Sequence, residues 1–505
     1  MKIAFVYKNA EWLGVEYLVA VLKEGGHEVQ LLFDSGVGDM EFKLNFLKKY
    51  MKPEDLMLEK ARKFKPDLIA VSCLNNMTVW TKEMCKLFKK EFDVPILIGG
   101  LQPTMVPEMF FKDDWQVDII CRGEGEDAIL ELCNSMDKGQ VDYTIKNLWF
   151  RKPDGEMVRN EIRPLERDID TLPFPDKSIF FEYGAFRDRL YIMASRGCPY
   201  KCTYCFNHNY QRLYQKNYVR FRKPERVIEE VVHFRKIYPA IKEVFFYDDN
   251  FTLKKIWTLE LCRLYKERVY DAFKVPFKCL VRADQIDMDI AKALKDAGCI
   301  YVDIGIESGD EYIRNEILKR NMMDEEIIKA AECFHAVGLD FTTLNMVGFP
   351  GETPEQMMKT ISLNQKIKPS AALMTTFFPF PKTDLAERSV REGYITEKNY
   401  SQMIEGHVSY KEETILNHPY KDEIRWVWAF FPIAVRYPKL VPILKKLPPN
   451  RTFRFISTFF STPMRNYIIR SREMASMMSN SLKRSFTFSM DKFVFSKFSS
   501  KQTNQ

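Results

Sequence analysis

Arg196-Gly-Cys-Pro-Tyr-Lys-Cys-Thr-Tyr-Cys-Phe-Asn-His208 sets three thiols, Cys198, Cys202 and Cys205, within eight positions of a 505-residue chain. Thiolates are soft ligands suited to iron-sulfur clusters, zinc or Cu(I), and a short loop carrying three of them can take three corners of a tetrahedral or cubane centre. No fourth cysteine lies nearby. Either another side chain closes the site, with His208 as the local candidate, or one metal position stays open to an exogenous ligand. Chance clustering of buried cysteines is the bland alternative.

Outward from this loop the chain alternates strands and helices. Arg189 to Met193 reads as a strand that delivers Cys198 to its carboxyl end. Beyond the loop follow helix 225–236, strand 242–250, helix 253–270, strand 277–281, helix 288–297, strand 301–306, helix 325–337 and strand 341–347. Repeated βα units predict a partial (βα)6 TIM-like barrel, whose active site lies at the carboxyl ends of the strands. The polar residues fall there: Asp248 and Asp249, Arg282 and Asp284, Glu307-Ser308-Gly309, and Gly348-Phe-Pro-Gly-Glu-Thr353. Each acid could instead cap the helix that follows.

Toward the N-terminus, short apolar strands at 2–7, 28–33, 66–72, 95–98 and 117–121 alternate with helices at 13–24 and 79–92, the pattern of a doubly wound, flavodoxin- or Rossmann-like parallel sheet. Ligands of such sheets sit outside the carboxyl ends of the strands. Gly14, Ser72, Gly99, Gly100 and Gly123 fall at those ends. His27, the one histidine of this region, sits in a helix-to-strand turn and is expected in solvent.

The spacing C-x3-C-x2-C, with Tyr204 just before the last cysteine, resembles the cluster loop of the radical S-adenosylmethionine (SAM) enzymes. The resemblance implies that Cys198, Cys202 and Cys205 hold a [4Fe-4S] cluster whose open iron is chelated by SAM, and that an electron from it cleaves SAM to a 5′-deoxyadenosyl radical. It extends to Tyr247-Asp-Asp-Asn-Phe-Thr252, near the methionyl group, to Ile304-Gly-Ile-Glu-Ser-Gly309, near the ribose, and to the turn Met346–Thr353. SAM contacts are thereby expected at Asp248, Asp249, Arg282, Glu307, Ser308 and Gly348. Asp-Asp stands where much of the family has Gly-Gly-Glu. Residues 1–150 resemble the cobalamin-binding domain that precedes many such cores, through Gly99-Gly-Leu-Gln-Pro-Thr104, Pro107-Glu108 and Arg122-Gly-Glu-Gly-Glu126. The family's Asp-x-His-x-x-Gly motif is absent, so cobalamin is expected without a protein histidine on cobalt, with Gly14, Ser72, Gly99, Gly100 and Gly123 beside it.

The expected organisation is a cobalamin-binding-like domain (1–150), a proline-rich linker (151–187), a radical SAM core (188–390) and a mostly helical C-terminal region (391–505) with a basic, aromatic tail. At 46% hydrophobic content the chain can fill several cores. Its net charge of +7 belongs to the tail, since residues 451–505 hold ten Lys/Arg against two acids, leaving 66 basic and 67 acidic residues before it. Eleven cysteines without a disulfide pattern indicate a reducing cytosol, and the eight outside the loop read as small core residues, with Cys73 at a strand end the one to watch. The apolar run Trp426–Val435 is too short to span a bilayer. With Tyr437–Leu447 and the tail it either packs on the barrel or lies at a membrane interface.

These readings predict C-methylation, cyclisation or rearrangement of a small-molecule or lipid-like substrate, served by an external flavodoxin- or ferredoxin-type electron donor. A radical SAM enzyme modifying RNA is the first alternative. It usually adds a small β-barrel, and no run of short strands follows residue 385, so a nucleic-acid partner is not expected. A non-catalytic iron-sulfur or corrinoid sensor is the second.

Overall fold

Uniformly apolar strands require cover on both faces, and the N-terminal ones receive it. The computed structural model describes residues 1–34, 53–166, 168–181, 183, 188–214, 218–407 and 414–461. The chain divides into two compact units, Met1–Arg163 with Leu172–Phe186, and Pro164–Thr171 with the described residues of 188–461, so the span expected as a linker is shared between them.

In the first unit β1 (Lys2–Lys8), β2 (Glu28–Asp34), β3 (Leu68–Ser72), β4 (Ile96–Gly99), β5 (Ile119–Cys121), β6 (Leu148–Arg151) and β7 (Met157–Arg159) form one sheet in the order β2-β1-β3-β4-β5-β6-β7. The first five strands run parallel in the flavodoxin-like order. An antiparallel pair, β6 and β7, closes the edge. That pair and the helix Pro53–Phe64 are additions to the expected elements. Lys177 enters the core of this unit, and its Nζ meets Glu11 Oε1 at 3.0 Å and Glu16 Oε2 at 2.5 Å with all three side chains buried. Burial drives the Glu16 carboxyl well up from its ordinary range. Breaking such a buried pair typically costs about 3–5 kcal/mol.

In the second unit β8 (Arg189–Ile192), β11 (Glu243–Phe246), β12 (Phe277–Val281), β13 (Cys299–Glu307), β14 (Asp340–Val347) and β15 (Ala371–Thr376) form an all-parallel sheet in the order β15-β14-β13-β12-β11-β8. This is the expected partial barrel, with β15 as the strand the sequence pattern had not disclosed. A two-stranded antiparallel ladder, β9 (Ser195–Arg196) with β10 (Arg220–Phe221), flanks the cysteine loop. Side-chain alternation splits the sheet into two faces. Phe246, Phe277 and Phe341 point outward to helix residues Tyr265 and Phe334. Ala372 and Met374 do the same against Met357, Ile361 and Val427. Tyr191, Phe245, Lys278, Asp303 and Leu344 occupy the other face, which the helices leave uncovered, and are only half-buried.

No strand follows Thr376 among the described residues. The helix Lys421–Arg436 buries Ile424, Val427, Phe430 and Phe431 against the barrel, so Trp426–Val435 packs rather than facing a membrane. Pro432 lies inside that helix and has no N–H for the carbonyl of Trp428, four residues back. Arg454, on the helix Arg451–Ser461, donates to that carbonyl instead, and its Nη2 reaches Met374 O at 2.7 Å.

Candidate cluster and cofactor sites

The cysteine loop begins where β9 ends. Gly197 adopts φ +85°, and a Cβ there would stand 2.6 Å from Tyr218 O, so only glycine turns the chain into the loop. Within the loop, Cys205 N donates to Cys202 O at 3.1 Å. Thr203 fastens it to the segment after β13, its N donating to Leu318 O at 3.1 Å and its Oγ1 to Ile317 O at 2.8 Å. Cys202 is buried, whereas Cys198 and Cys205 are half-buried. Burial pushes the Cys198 thiol up to about 11 and the Cys205 thiol up to about 12. Ligation therefore draws on the positive charge of the bound metal to remove those protons.

His208 Nδ1 is turned to Asp384 Oδ2 at 3.4 Å. Among the described residues no three His, Cys, Asp or Glu side chains converge on one ion, as a closed zinc site would require. A cubane makes no such demand, since each thiolate takes its own iron. The donor set on a loop tied down at both sides fits a [4Fe-4S] cluster.

Two arginines brace the loop's tyrosines. The Arg282 guanidinium lies 3.5 Å from the Tyr200 ring centroid and pairs with Asp284, with Nε to Oδ1 at 3.0 Å. The Tyr200 hydroxyl donates to Asp284 Oδ2 at 3.2 Å and accepts from Gln285 Nε2 at 2.8 Å. Arg320 Nη1 donates to the Tyr204 hydroxyl at 2.5 Å and meets Glu307 Oε1 at 3.3 Å, while Nη2 donates to Gly305 O at 2.6 Å. Arg282 Nη2 donates to Arg320 O at 2.8 Å and joins the two braces. Glu307 ends β13 at φ +68°, a left-handed conformation that a non-glycine residue holds only under constraint. Burial raises its carboxyl, and Arg320 opposes that shift. Arg320 was not singled out in the sequence, where nothing but a cation 13 positions beyond Glu307 marked it.

The other expected SAM contacts fall in different surroundings. Asp248 is buried, with Oδ1 accepting from Ser195 Oγ at 2.5 Å and Oδ2 from Ala194 N at 3.2 Å, and burial pushes its carboxyl up to about 7. Asp249, exposed on the same turn, accepts from Asn207 Nδ2 at 2.8 Å. Neither caps a helix, since the next one starts beyond Lys254. Ser308 is fully buried, its hydroxyl accepting from Asp310 N at 3.2 Å and its carbonyl from Arg314 at 2.8 Å, so it fixes the turn after β13. Gly348 likewise shapes a turn at φ +88°, its N donating to buried Glu352 Oε2 at 2.6 Å.

In the first unit Ser72, Gly99 and Gly123 cluster at the carboxyl ends of the neighbouring strands β3, β4 and β5, with Gly100 next to Gly99. Gly100 has φ +104°, and a Cβ would lie 2.9 Å from Cys73 O and 3.3 Å from Ser72 Oγ. Thr104 Oγ1 accepts from Gly123 N at 2.9 Å and donates to Gly100 O at 2.8 Å, joining the loops after β4 and β5. Gly14 lies in the first turn of the helix after β1, against Trp12. Bare backbone at adjoining strand ends suits a large planar ligand. His27 departs from expectation: it is buried, held by Asn134 Oδ1 at 3.1 Å and the N-terminal amine at 3.3 Å, ahead of β2. It is removed from the strands' carboxyl ends, so a corrinoid there gains no histidine. Cys73 is fully buried, its thiol pushed up to about 12, and all eleven cysteines are free, the eight outside the loop buried.

Residues 192–363 match the family described as Radical SAM superfamily, and residues 3–133 match the B12 binding domain. The chain is 28% identical over 394 residues to the uncharacterized methyltransferase PH0819 of Pyrococcus horikoshii, covering 77% of this chain and 80% of that protein. It is 25% identical to the anaerobic magnesium-protoporphyrin IX monomethyl ester cyclase of Rubrivivax gelatinosus, covering 76% and 69%. The solved radical S-adenosylmethionine methyltransferase TsrM from Kitasatospora setae, with tryptophan substrate and a SAM analogue bound, shares the fold with a TM-score of 0.63 at 17% identity, covering 78% and 77%.

Proposed function

Proceeding from a radical SAM enzyme that carries a B12-binding domain ahead of its radical domain in sequence, we propose that this protein methylates an unactivated carbon of a small or lipid-like molecule. The observation that carries the reading is the three-cysteine loop held at the carboxyl end of a parallel barrel sheet, in a chain whose other sheet ends in bare glycines. Similarity to PH0819 supports methyl transfer, and similarity to the Rubrivivax cyclase keeps ring closure as the second reading.

When bound, the cluster supplies the electron that splits SAM into methionine and a 5′-deoxyadenosyl radical, and cobalamin supplies a carrier for the methyl group. Cys198, Cys202 and Cys205 would hold the cluster. Arg282 and Arg320 hold Tyr200 and Tyr204 in place beside the loop. Asp249 is placed to accept from an ammonium and Glu307 from ribose hydroxyls, while Asp248, Ser308 and Gly348 shape the turns that present them. Gly99 and Gly100 let a corrinoid approach the backbone. Tyr191, Phe245 and Tyr247, meeting edge-on at 5.5 to 6.0 Å, stand along the sheet's inner face. Electrons come from an external donor.

Membrane contact is proposed for a narrower region than the sequence indicated. Residues 437–461 hold five Lys/Arg and no acid. Tyr437, Leu440, Ile443, Phe455 and Ile456 are exposed there, Ile443 at 59%. No helix among the described residues is long and apolar enough to cross a membrane. Such a surface suits the anionic interface of a bilayer. The tail beyond residue 461, part of the original expectation, lies outside the described residues.

The reaction is tested by incubating anaerobically reconstituted protein with SAM, dithionite and candidate substrates. Methylation forms S-adenosylhomocysteine alongside 5′-deoxyadenosine, whereas cyclisation forms 5′-deoxyadenosine alone.

A further inference from the structure

Asp303 and Thr342 are register partners on β13 and β14, so their side chains leave the same face of the sheet. That face is the inner one, away from the helices. Asp303 lies two residues before Gly305, the residue whose carbonyl receives Arg320, which places it about 6.6 Å along the strand from the cluster-loop brace.

Both polar groups are left unsatisfied by the protein. Thr342 Oγ1 is buried and without a hydrogen-bond partner. The half-buried carboxylate of Asp303 is influenced by Lys278, but Lys278 pairs with Glu243 at 3.3 Å, and Glu243 also holds Arg189 at 2.7 Å. No described residue donates a hydrogen bond to Asp303. Buried polar groups are almost always partnered, and an orphan is costly. Thr342 Oγ1 is such an orphan, and with the half-buried, unbonded carboxylate of Asp303 beside it on the same face it marks the place of a missing partner. Burial pushes the Asp303 carboxyl up to about 6, and the charge of Lys278 opposes that rise.

Arg189, Glu243 and Lys278 stand on the same face toward the strands' amino ends, and nearer the carboxyl ends the face is largely apolar. Leu280 is the register partner of Asp303 on its other side, Leu344 lies one step further along β14, and Tyr191, Phe245 and Tyr247 form the edge-on aromatic group on β8 and β11. Beyond that charged group, a carboxylate and a hydroxyl in a largely apolar surface suit one donor group on an apolar body and disfavour an anion beside Asp303.

We infer that Asp303 and Thr342 anchor the substrate by holding an amine or amidine on an otherwise aromatic or aliphatic molecule. This rests on the radical reading above, which makes the inner face the substrate cavity.

The test is calorimetric titration of reconstituted holoprotein with 4-phenylbutylamine, 4-phenylbutanol and 4-phenylbutyrate. The amine is expected to bind, the carboxylate not to bind, and Asp303→Asn to weaken the amine about tenfold or more, with Thr342→Val weakening it less. Equal binding of amine and carboxylate, unchanged amine affinity in Asp303→Asn, or no amine binding to the wild type, as when an ordered water satisfies both groups, overturns the inference. Thr342→Val preserves shape, so it decides the matter if Asp303→Asn does not fold. Wild-type protein that forms 5′-deoxyadenosine from SAM yet ignores the amine contradicts this inference alone. Protein that binds the amine through Asp303 but never cleaves SAM contradicts the radical reading alone.

Discussion

Arg320 Nη1 donates to the Tyr204 hydroxyl at 2.5 Å, tying the turn after β13 to the residue between the second and third cysteines. The same guanidinium meets Glu307 and the Gly305 carbonyl, so one cation sets the loop, the strand end and the carboxylate together. Lysine cannot reproduce this fork. Arg320→Lys is expected to lower 5′-deoxyadenosine formation about 10- to 100-fold, in line with the loss of charge-assisted hydrogen bonds worth about 1.5–3 kcal/mol. Tyr204→Phe removes the neutral hydroxyl that accepts from Arg320 and is expected to lower it about fivefold. Rates for the two variants and the double variant check this, with the double expected to be no worse than Arg320→Lys alone.

Glu352 closes the turn at Gly348, and burial pushes its carboxyl up to about 8, with Asp310 adding to the rise. Its unfolded value is near the ordinary 4.5. The folded form thus retains a proton that the unfolded chain releases. Stability from this group is fully present below about pH 4.5 and is lost as pH rises toward 8, by up to about 1.4 kcal/mol per unit. Glu352→Gln keeps the acceptor and removes the titration. Its denaturation midpoint is expected to fall less than the wild type's between pH 5 and 8, as urea melts across that range would show.

Gly100 admits no side chain, because a Cβ would press on Cys73 O at 2.9 Å. Gly100→Ala is expected to displace the loop after β4, lower the melting temperature and reduce corrinoid retention. Visible absorbance of protein purified from cobalamin-supplemented cells measures the second effect. Gly99→Ala, whose Cβ would meet only ordinary contact at 3.5 Å, serves as the milder control.

Phe455 and Ile456 are exposed on the helix Arg451–Ser461, whose Ser457 is buried. Replacing both with Asp is expected to abolish sedimentation with phosphatidylserine vesicles while leaving binding to phosphatidylcholine vesicles at its low level. Equal sedimentation of variant and wild type would remove the interfacial reading.

The strand and helix alternation was legible because the buried strands are short apolar runs, most of them near glycine or proline, and helix Leu13–Glu24 and strand Phe277–Val281 fall where periodicity put them. The strand Ala371–Thr376 was not, since its inner face carries Leu373 and Thr375 and its run of Ala, Met and Thr resembles a helix or a loop. That Cys198, Cys202 and Cys205 share one loop at a strand's carboxyl end was legible from spacing and the strand pattern. The partners of the acids were not, because they come from distant positions. Asp248 meets Ser195, Glu307 meets Arg320, and the buried state of His27 depends on Asn134. The apolar character of 426–435 was visible, but which surface it covers depends on β14 and β15, which local pattern cannot supply.

The claim on which the rest depends is a cluster bound by Cys198, Cys202 and Cys205 with one iron open to SAM. Electron paramagnetic resonance of the anaerobically reconstituted, dithionite-reduced protein, recorded before and after adding SAM, tests it most directly. The account predicts a [4Fe-4S]+ signal that shifts when SAM is added and is lost in Cys202→Ala. A signal that SAM leaves unchanged, or one that persists in Cys202→Ala, would contradict it.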